Sequence, residues 1–396
     1  GRTLCTEFNR EPADLMAVFR ETVPRTFQEK LFELNWSVVL LLLLLGAVGV
    51  GMLYSAAEGA WNPWASRHFI RFLLGVAIML VVALFPPRFW MGMAYPIYLG
   101  ALSLLVGVEF FGESVNGAQR WLDIGPVRMQ PSEIMKIAVV LALARFYHDL
   151  PPEKINSAFG LLVPAFLIGA PAALILHQPD LGTAVLVLVT GAALVFLAGL
   201  SWRIIIGGAI AAAFIIPAFL RFGLEDYQRR RIFTFLNPEA DPLGAGYHIL
   251  QSKIALGSGG LTGRGFVEGT QTQLNFLPEK QTDFIFTILG EEFGLVGGLA
   301  VIGIYALVLA NTVAIAAACK STFLRLTVMG IATTFALYVF INIGMVTGLL
   351  PVVGVPLPLI SYGGTVMMAV LFGFGLILGA HIHRNAEPPR GAGLFG

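Results

Sequence analysis

Apolar residues dominate this chain in runs of about twenty, each closed by a few charged, Pro or Gly residues before the next begins. A helix rises ~1.5 Å per residue, so roughly 20 apolar residues are needed to cross ~30 Å of hydrocarbon. Ten stretches meet that length: about 36 to 56, 69 to 86, 89 to 111, 131 to 148, 157 to 177, 181 to 200, 202 to 221, 284 to 313, 323 to 349 and 365 to 384. The pattern predicts an all-α bundle of about ten transmembrane helices. A cytoplasmic segment 1–35 precedes it, a cytoplasmic tail 385–396 follows, and one long extracytoplasmic loop, about 222–283, joins the seventh and eighth helices.

Composition agrees with that pattern. Of 396 residues, 57% are hydrophobic and only 12% are Asp, Glu, Lys or Arg, with a mean hydropathy of +0.79. These values lie outside soluble-domain averages. The run from Val38 to Val50 has the length of a signal-peptide core, but it continues into a full span and nine more follow, so an uncleaved first helix is expected. A first residue other than Met is read as trimming or tagging. Cys5 and Cys319 are too few for a disulfide framework. The formal net charge of +1 gives no reason to expect nucleic acid.

Lys and Arg are retained on the cytoplasmic side of short connections. The side shared by both termini carries Arg88, Arg145, Lys154, Arg203, Lys320 and Arg325, against Arg67, Arg120 and Arg128 opposite. Both termini are therefore expected in the cytoplasm. The loop 222–283 escapes this rule by its length, and its Arg229, Arg230, Arg231, Lys253, Arg264 and Lys280 then face outward, toward an anionic partner. Two further segments break the helical pattern: 112 to 130, and 348 to 364, where Pro351, Pro356 and Pro358 alternate with glycines. Irregular backbone among apolar residues is tolerated where protein buries it or a cavity is lined by it.

Charge in so apolar a chain marks the candidate chemistry. Glu133 and Lys136 open the fourth stretch after Pro131, three residues apart and hence on one helical face, where they can pair. Each ionisable group at membrane depth costs about 2.5 to 3.5 kcal/mol and usually faces the bundle interior or a wet cavity. The plainer alternative makes Glu133 a first-turn dipole partner while Lys136 snorkels outward. Asp180 directly precedes the sixth stretch with Thr183 three residues on, the arrangement of an N-cap; a functional role does not exclude it. His177 has no second ligand at metal spacing and reads as an interfacial residue.

The densest group is Glu279, Lys280, Asp283, Glu291 and Glu292. Phe284, Ile285 and Phe286 follow Asp283 at once and place its carboxylate at a boundary between water and membrane. Desolvation there favours the neutral form, the tuning a general base requires. Asp283 could equally cap the helix, with Thr282 competing for that place. Glu279 and Lys280 could tune its protonation. Glu291 and Glu292 are adjacent and point apart, so at most one shares the face of Asp283. Spacing alone leaves the reaction open.

Taken in order, NGAQRWLDIGPVRMQPSEIMK, HQPDLGTA, FLNPEADPLGAGYHILQSKIALGSGGLTGRG, GTQTQLNFLPEKQTDFIF with GEEFG, and GLLPVVGVPLPLISYGGT resemble the SEDS family, the shape, elongation, division and sporulation proteins. The resemblance runs from about 36 to 384. QSKIALGSGG and GTQTQLNFLP look more like its elongation branch, RodA, than its division branch, FtsW.

The resemblance implies a peptidoglycan glycosyltransferase that polymerises lipid II into glycan strands at the outer face of the bacterial cytoplasmic (inner) membrane during cell elongation. Its partners would be the nascent lipid-linked glycan, a class B penicillin-binding transpeptidase and other membrane proteins of the elongation complex. By motif, Asp283 matches the family's catalytic aspartate, Glu133 and Lys136 its charged cavity pair, and Asp180 the aspartate of QPDLGT. Gln281 departs from the family pattern, which commonly has His before Thr-Asp. It weakens the case for a histidine in proton transfer there and leaves Asp283 untouched.

Such a reaction expels undecaprenyl pyrophosphate, which leaves without the protonation that an alkoxide needs. One base suffices, assigned to Asp283, with positive charge for the diphosphate from Lys136, from loop residues such as Lys280 and Arg229 to Arg231, or from a divalent cation, Mg or Mn. The Arg triplet could instead be a solvated face or an anchor for anionic lipid. The other readings are a lipid II flippase, which the Glu133 and Lys136 pair would also suit, and a non-catalytic scaffold.

Overall fold

The computed structural model describes residues 27–115, 118–124, 127–222, 245–273 and 279–388. The chain divides into two units, residues 1–34 and 35–396. The described helix of the first is α1 (Phe27–Phe32). In the second, each of the ten apolar stretches coincides with a helix: α2 (Trp36–Ala56), α3 (Trp64–Leu84), α4 (Pro87–Phe111), α5 (Pro131–Asp149), α6 (Ala158–His177), α7 (Leu181–Leu197), α8 (Trp202–Phe222), α11 (Ile285–Ala318), α12 (Thr322–Val346) and α13 (Gly364–Ile382). Among the described residues, seven of these, α2, α3, α4, α6, α11, α12 and α13, are long and apolar enough to cross a bilayer unaided. The protein is a multi-pass, mainly helical membrane protein.

Local chemistry sets the helix boundaries. The side chain of Asn35 accepts from the Val38 amide at 3.3 Å to start α2, and that of Ser157 accepts from the Gly160 amide at 3.2 Å to start α6. Pro87 and Pro131 occupy the first turns of α4 and α5, where no amide is needed. Helix α5 is the most enclosed of the charged helices, with Glu133, Lys136 and most of its apolar residues buried. It packs against α4, α7 and α12, while α3 lies along α13.

Three departures from the helical pattern position the site. An antiparallel sheet is formed by β1 (Glu113–Val115), β2 (Ala118–Ile124) and β3 (Val127–Met129), ordered β1-β2-β3. Glu113 pairs with Trp121 and Leu122 with Met129, and a bulge follows Glu113. Residues 351–363, as their Pro and Gly content requires, contain no regular helix or strand.

The interval 222–283, expected as a loop, contains two further helices, α9 (Ala245–Ser258) and α10 (Thr270–Gln273). Helix α9 buries Ile249, Ser252 and Ala255, one every third residue, and the Ser252 hydroxyl bonds Thr287 Oγ1 and the Val346 carbonyl, both at 2.8 Å. A short helix with a polar face, flanked by glycines, carries too little apolar signal to stand out as an element. The Arg229, Arg230 and Arg231 cluster lies outside the described residues.

Helix α11 is also not the single rod that its apolar run predicts. Gly294 adopts φ 64° and ψ −162°, breaking the helix after its second turn. The loop after α9 supplies the missing hydrogen bonds on both sides of the break. Leu295 and Val296 donate to the carbonyls of Gly260 and Leu261 at 2.9 and 3.1 Å, and Arg264 and Gly265 donate to the carbonyls of Glu291 and Glu292, each at 3.1 Å. Backbone groups at membrane depth need such partners because hydrocarbon offers none.

Candidate active site

Asp283 lies in a half-buried turn, residues 279–284, immediately before α11. It does not cap the helix. Phe284 holds the N-cap position without a side-chain bond, and the Thr282 hydroxyl turns back onto the Glu279 carbonyl and carboxylate, both at 3.2 Å. The backbone of the turn is gripped from three points. Asn342 Nδ2 donates to the Asp283 carbonyl at 2.9 Å, the Ser361 hydroxyl donates to the Thr282 carbonyl at 2.5 Å, and the Tyr362 amide donates to the Gln281 carbonyl at 2.8 Å.

Beside the carboxylate runs bare backbone. Gly354, at φ 76°, would carry a Cβ 3.6 Å from Asp283 Oδ2. A glycine at that φ lets the connection turn against the carboxylate without strain. The same connection reaches the second acid: a Cβ on Gly182 would stand 2.9 Å from the Val353 carbonyl. Asp180, two residues before that contact, caps α7 by accepting from the Thr183 amide at 3.1 Å and also accepts from Gln130 Nε2 at 3.1 Å. Arg120 of β2 is 4.0 Å from its carboxylate and donates to the Gln178 carbonyl at 3.2 Å and to the Pro179 carbonyl. Capping and site placement therefore coincide at Asp180.

Gln130 leads directly into α5, where Glu133 and Lys136 are both buried and paired at 2.7 Å. The Tyr338 hydroxyl donates to Glu133 Oε2 at 2.6 Å and contacts the Lys136 ammonium, which also sits 4.4 Å from the centre of the Tyr338 ring. This triad lines a small cleft of about 30 Å³, walled otherwise by mostly apolar residues of α5, α12 and α13. Tyr338 and Asn342 are four residues apart on α12 and so share a face. That face links the Glu133 and Lys136 pair to the Asp283 turn.

Lys280 is buried in the same turn, its ammonium 3.7 Å from Glu58 Oε1 in the connection after α2. Burial holds the ammonium below its ordinary range, with Glu58 working in the opposite direction. Glu291 and Glu292 point elsewhere. Glu291 Oε1 accepts from the Gln271 amide at 2.8 Å and from the Thr270 hydroxyl at 3.2 Å, while Glu292 is bonded by Ser55 of α2. Both fasten the broken start of α11 to its neighbours. His177 meets Glu109 at 3.2 Å in an exposed contact.

Tyr338, Asn342, Gln130 and Arg120 are site residues that spacing alone does not single out. Polar positions in the otherwise apolar α12 were the available signal. Among the described residues no three His, Cys, Asp or Glu side chains converge as a metal site.

The fold and these contacts define the class: a polytopic helical protein in which α12 joins a half-buried carboxylate turn to a buried cluster of Glu133, Lys136 and Tyr338. The family model FTSW_RODA_SPOVE, described as cell cycle protein, matches residues 33–386, and the chain belongs to that family. It is 47% identical over 363 residues to "Peptidoglycan glycosyltransferase MrdB" of Escherichia coli (strain K12), covering 91% of this chain and 96% of the relative. Two solved structures resemble it. One, "Structural coordination of polymerization and crosslinking by a peptidoglycan synthase complex", contains a chain with a TM-score of 0.77 and 34% identity, covering 89% of this chain and 98% of that one. The other, the rod shape determining protein RodA of Thermus thermophilus, has a TM-score of 0.68 and 31% identity, covering 89% and 98%.

Proposed function

We propose that Asp283 is the general base with which this chain, a peptidoglycan glycosyltransferase, polymerises lipid II into glycan strands. Its family and the names of its relatives support the activity. The observation that carries the residue assignment is the half-buried Asp283 carboxylate, held by a turn bonded at three carbonyls and bordered by the bare backbone of Gly354.

In this reading the 4-hydroxyl of one lipid-linked disaccharide attacks the anomeric carbon of the other. Asp283 takes the hydroxyl proton, the new glycosidic bond forms with inversion, and the bond to phosphate breaks with its electron pair leaving on undecaprenyl pyrophosphate. A general base placed in this way contributes on the order of 100 to 10,000-fold. Both lysines named by the sequence are paired, Lys136 with Glu133 and Lys280 with Glu58; the diphosphate is assigned to Lys136 because it lines the cleft between α5, α12 and α13. Asp180, held by Arg120 and Gln130, stands beside the connection that borders Asp283. A divalent cation, if used, would arrive on the diphosphate, the usual manner of Mg²⁺ binding.

The Lys and Arg distribution supports an inner-membrane protein with both termini cytoplasmic and Asp283 on the outer face. A class B penicillin-binding transpeptidase is the partner proposed. The support is the similar chain from a complex concerned with polymerization and crosslinking. The test is a glycan-strand assay with purified protein, lipid II and that transpeptidase. Asp283→Ala should lose at least about 100-fold in rate; polymerisation at the wild-type rate refutes the assignment. Lipid II movement across liposomes without strand growth would mark a flippase instead.

A further inference from the structure

Asp283 is gripped from the α12 to α13 side by Asn342, Ser361 and Tyr362. On the other side of the same turn, Lys280 reaches across to Glu58, in the connection between α2 and α3. The two side chains are unequal: that of Lys280 is 6% exposed, that of Glu58 51%. A buried ammonium left without its carboxylate is costly, so the ion pair with Glu58 helps to hold Lys280 and the turn that bears it.

The backbone at both ends of this pair is unusual. Glu58 has φ 58°, and Glu279, next to Lys280, has φ 54°. Non-glycine residues rarely adopt this left-handed conformation, and it persists where surrounding contacts over-determine it. Glu58 is itself held in place: its amide donates to the Ser55 carbonyl at 2.8 Å, and that of Gly59 donates to the Tyr54 carbonyl at 3.1 Å. Ser55 in turn bonds Glu292 in the broken start of α11. The first connection is thus fastened to α11 from below while Glu58 reaches the Asp283 turn from the side.

We infer that Glu58 and Lys280 form a positioning clasp that holds the Asp283 carboxylate in its reactive place. Lys280 acts through Asp283 and does not contact the substrate. The inference rests on the assignment of Asp283 as base, and it takes Lys280 out of the set of diphosphate ligands.

The experiment measures glycan-strand kinetics of the full chain with lipid II and its transpeptidase, for Glu58→Gln, Lys280→Gln, the double variant, Lys280→Arg and Asp283→Asn. Misplacement of a reacting group by about 1 Å costs up to about 100-fold. Each single Gln variant should lower kcat about 10-fold while KM for lipid II stays within about 2-fold. The double variant should be no worse than either single one, because the two residues act as one unit. Lys280→Arg should restore most of kcat.

A raised KM with kcat retained in Lys280→Gln overturns the inference and makes Lys280 a substrate ligand. Additive losses, or wild-type kinetics in Glu58→Gln beside an inactive Asp283→Asn, overturn it alone. A wild-type rate for Asp283→Asn overturns the base assignment and the clasp with it. Should Lys280→Gln fail to fold, Glu58→Gln and Lys280→Arg still decide the outcome.

Discussion

The side-chain amide of Asn342 joins the carbonyl of Asp283, at 2.9 Å, to the carbonyl of Val355, at 2.8 Å. One buried side chain on α12 therefore holds together the turn that bears the acid and the irregular connection that borders it. Asn342→Leu keeps the volume but leaves two carbonyls without a donor, at a cost of about 1 to 3 kcal/mol each. Thermal unfolding in detergent should show the loss, and the strand-forming rate should fall about 10-fold or more from misplacement of Asp283. An unchanged melting temperature and rate would remove Asn342 from the site.

The Glu133, Lys136 and Tyr338 triad predicts a characteristic order of stabilities. Removing one member of a buried ion pair strands the other, typically costing about 3 to 5 kcal/mol, whereas removing both can be nearly neutral. Lys136→Met should accordingly be less stable than the double variant Glu133→Gln with Lys136→Met. Tyr338→Phe, which deletes one hydrogen bond to each partner, should fall between wild type and Lys136→Met. Melting temperatures of the four proteins check the order. A double variant less stable than Lys136→Met contradicts it.

These side chains show where sequence reasoning reached and where it stopped. Glu133 and Lys136 were legible because three residues on a helix define one face and charge stands out in an apolar run. Tyr338 and Asn342 were not, because their meaning depends on which way α12 turns against α5 and the Asp283 turn, a matter of packing. The apolar runs located ten helices to within a few residues at most ends. They hid the break at Gly294, since hydropathy averages across a single residue whose backbone departs from helix. The bonds of Glu291 to α10 and of Glu292 to α2 were hidden for the same reason, since they brace a break that hydropathy does not show.

Lys280 predicts a pH dependence of stability with a definite sign. Burial lowers the ammonium's pKa in the folded protein below the ordinary value of 10.5. Below the lowered value Lys280 is charged in both folded and unfolded states, and the cost of burying the charge is fully present. As pH rises through the interval up to 10.5 the folded state releases its proton first, and that cost is relieved. Relative to Lys280→Met, the wild type should therefore gain melting temperature as pH is raised from about 7 to about 10. A difference that stays constant, or moves the other way, would contradict the burial of Lys280.

Gly294 is the position where a single methyl group should do most harm to the fold around the site. Its φ of 64° and ψ of −162° lie in a region open in practice only to glycine, so Ala there carries about 1 to 3 kcal/mol of backbone strain. Space adds a second obstacle: a Cβ would stand 2.4 Å from the Gly263 amide nitrogen and 2.6 Å from the Leu261 carbonyl. These are backbone atoms of the loop that caps the break, and they cannot rotate away. Gly294→Ala should therefore detach residues 259–265 from α11, lowering the melting temperature and exposing that loop to proteolysis. Gly303→Ala is the matched control, because it lies in the same helix with nothing within 4 Å of its would-be Cβ. It should be neutral or slightly stabilising, as Gly to Ala is within a helix. Equal behaviour of the two variants would mean that the break at Gly294 does not organise this loop.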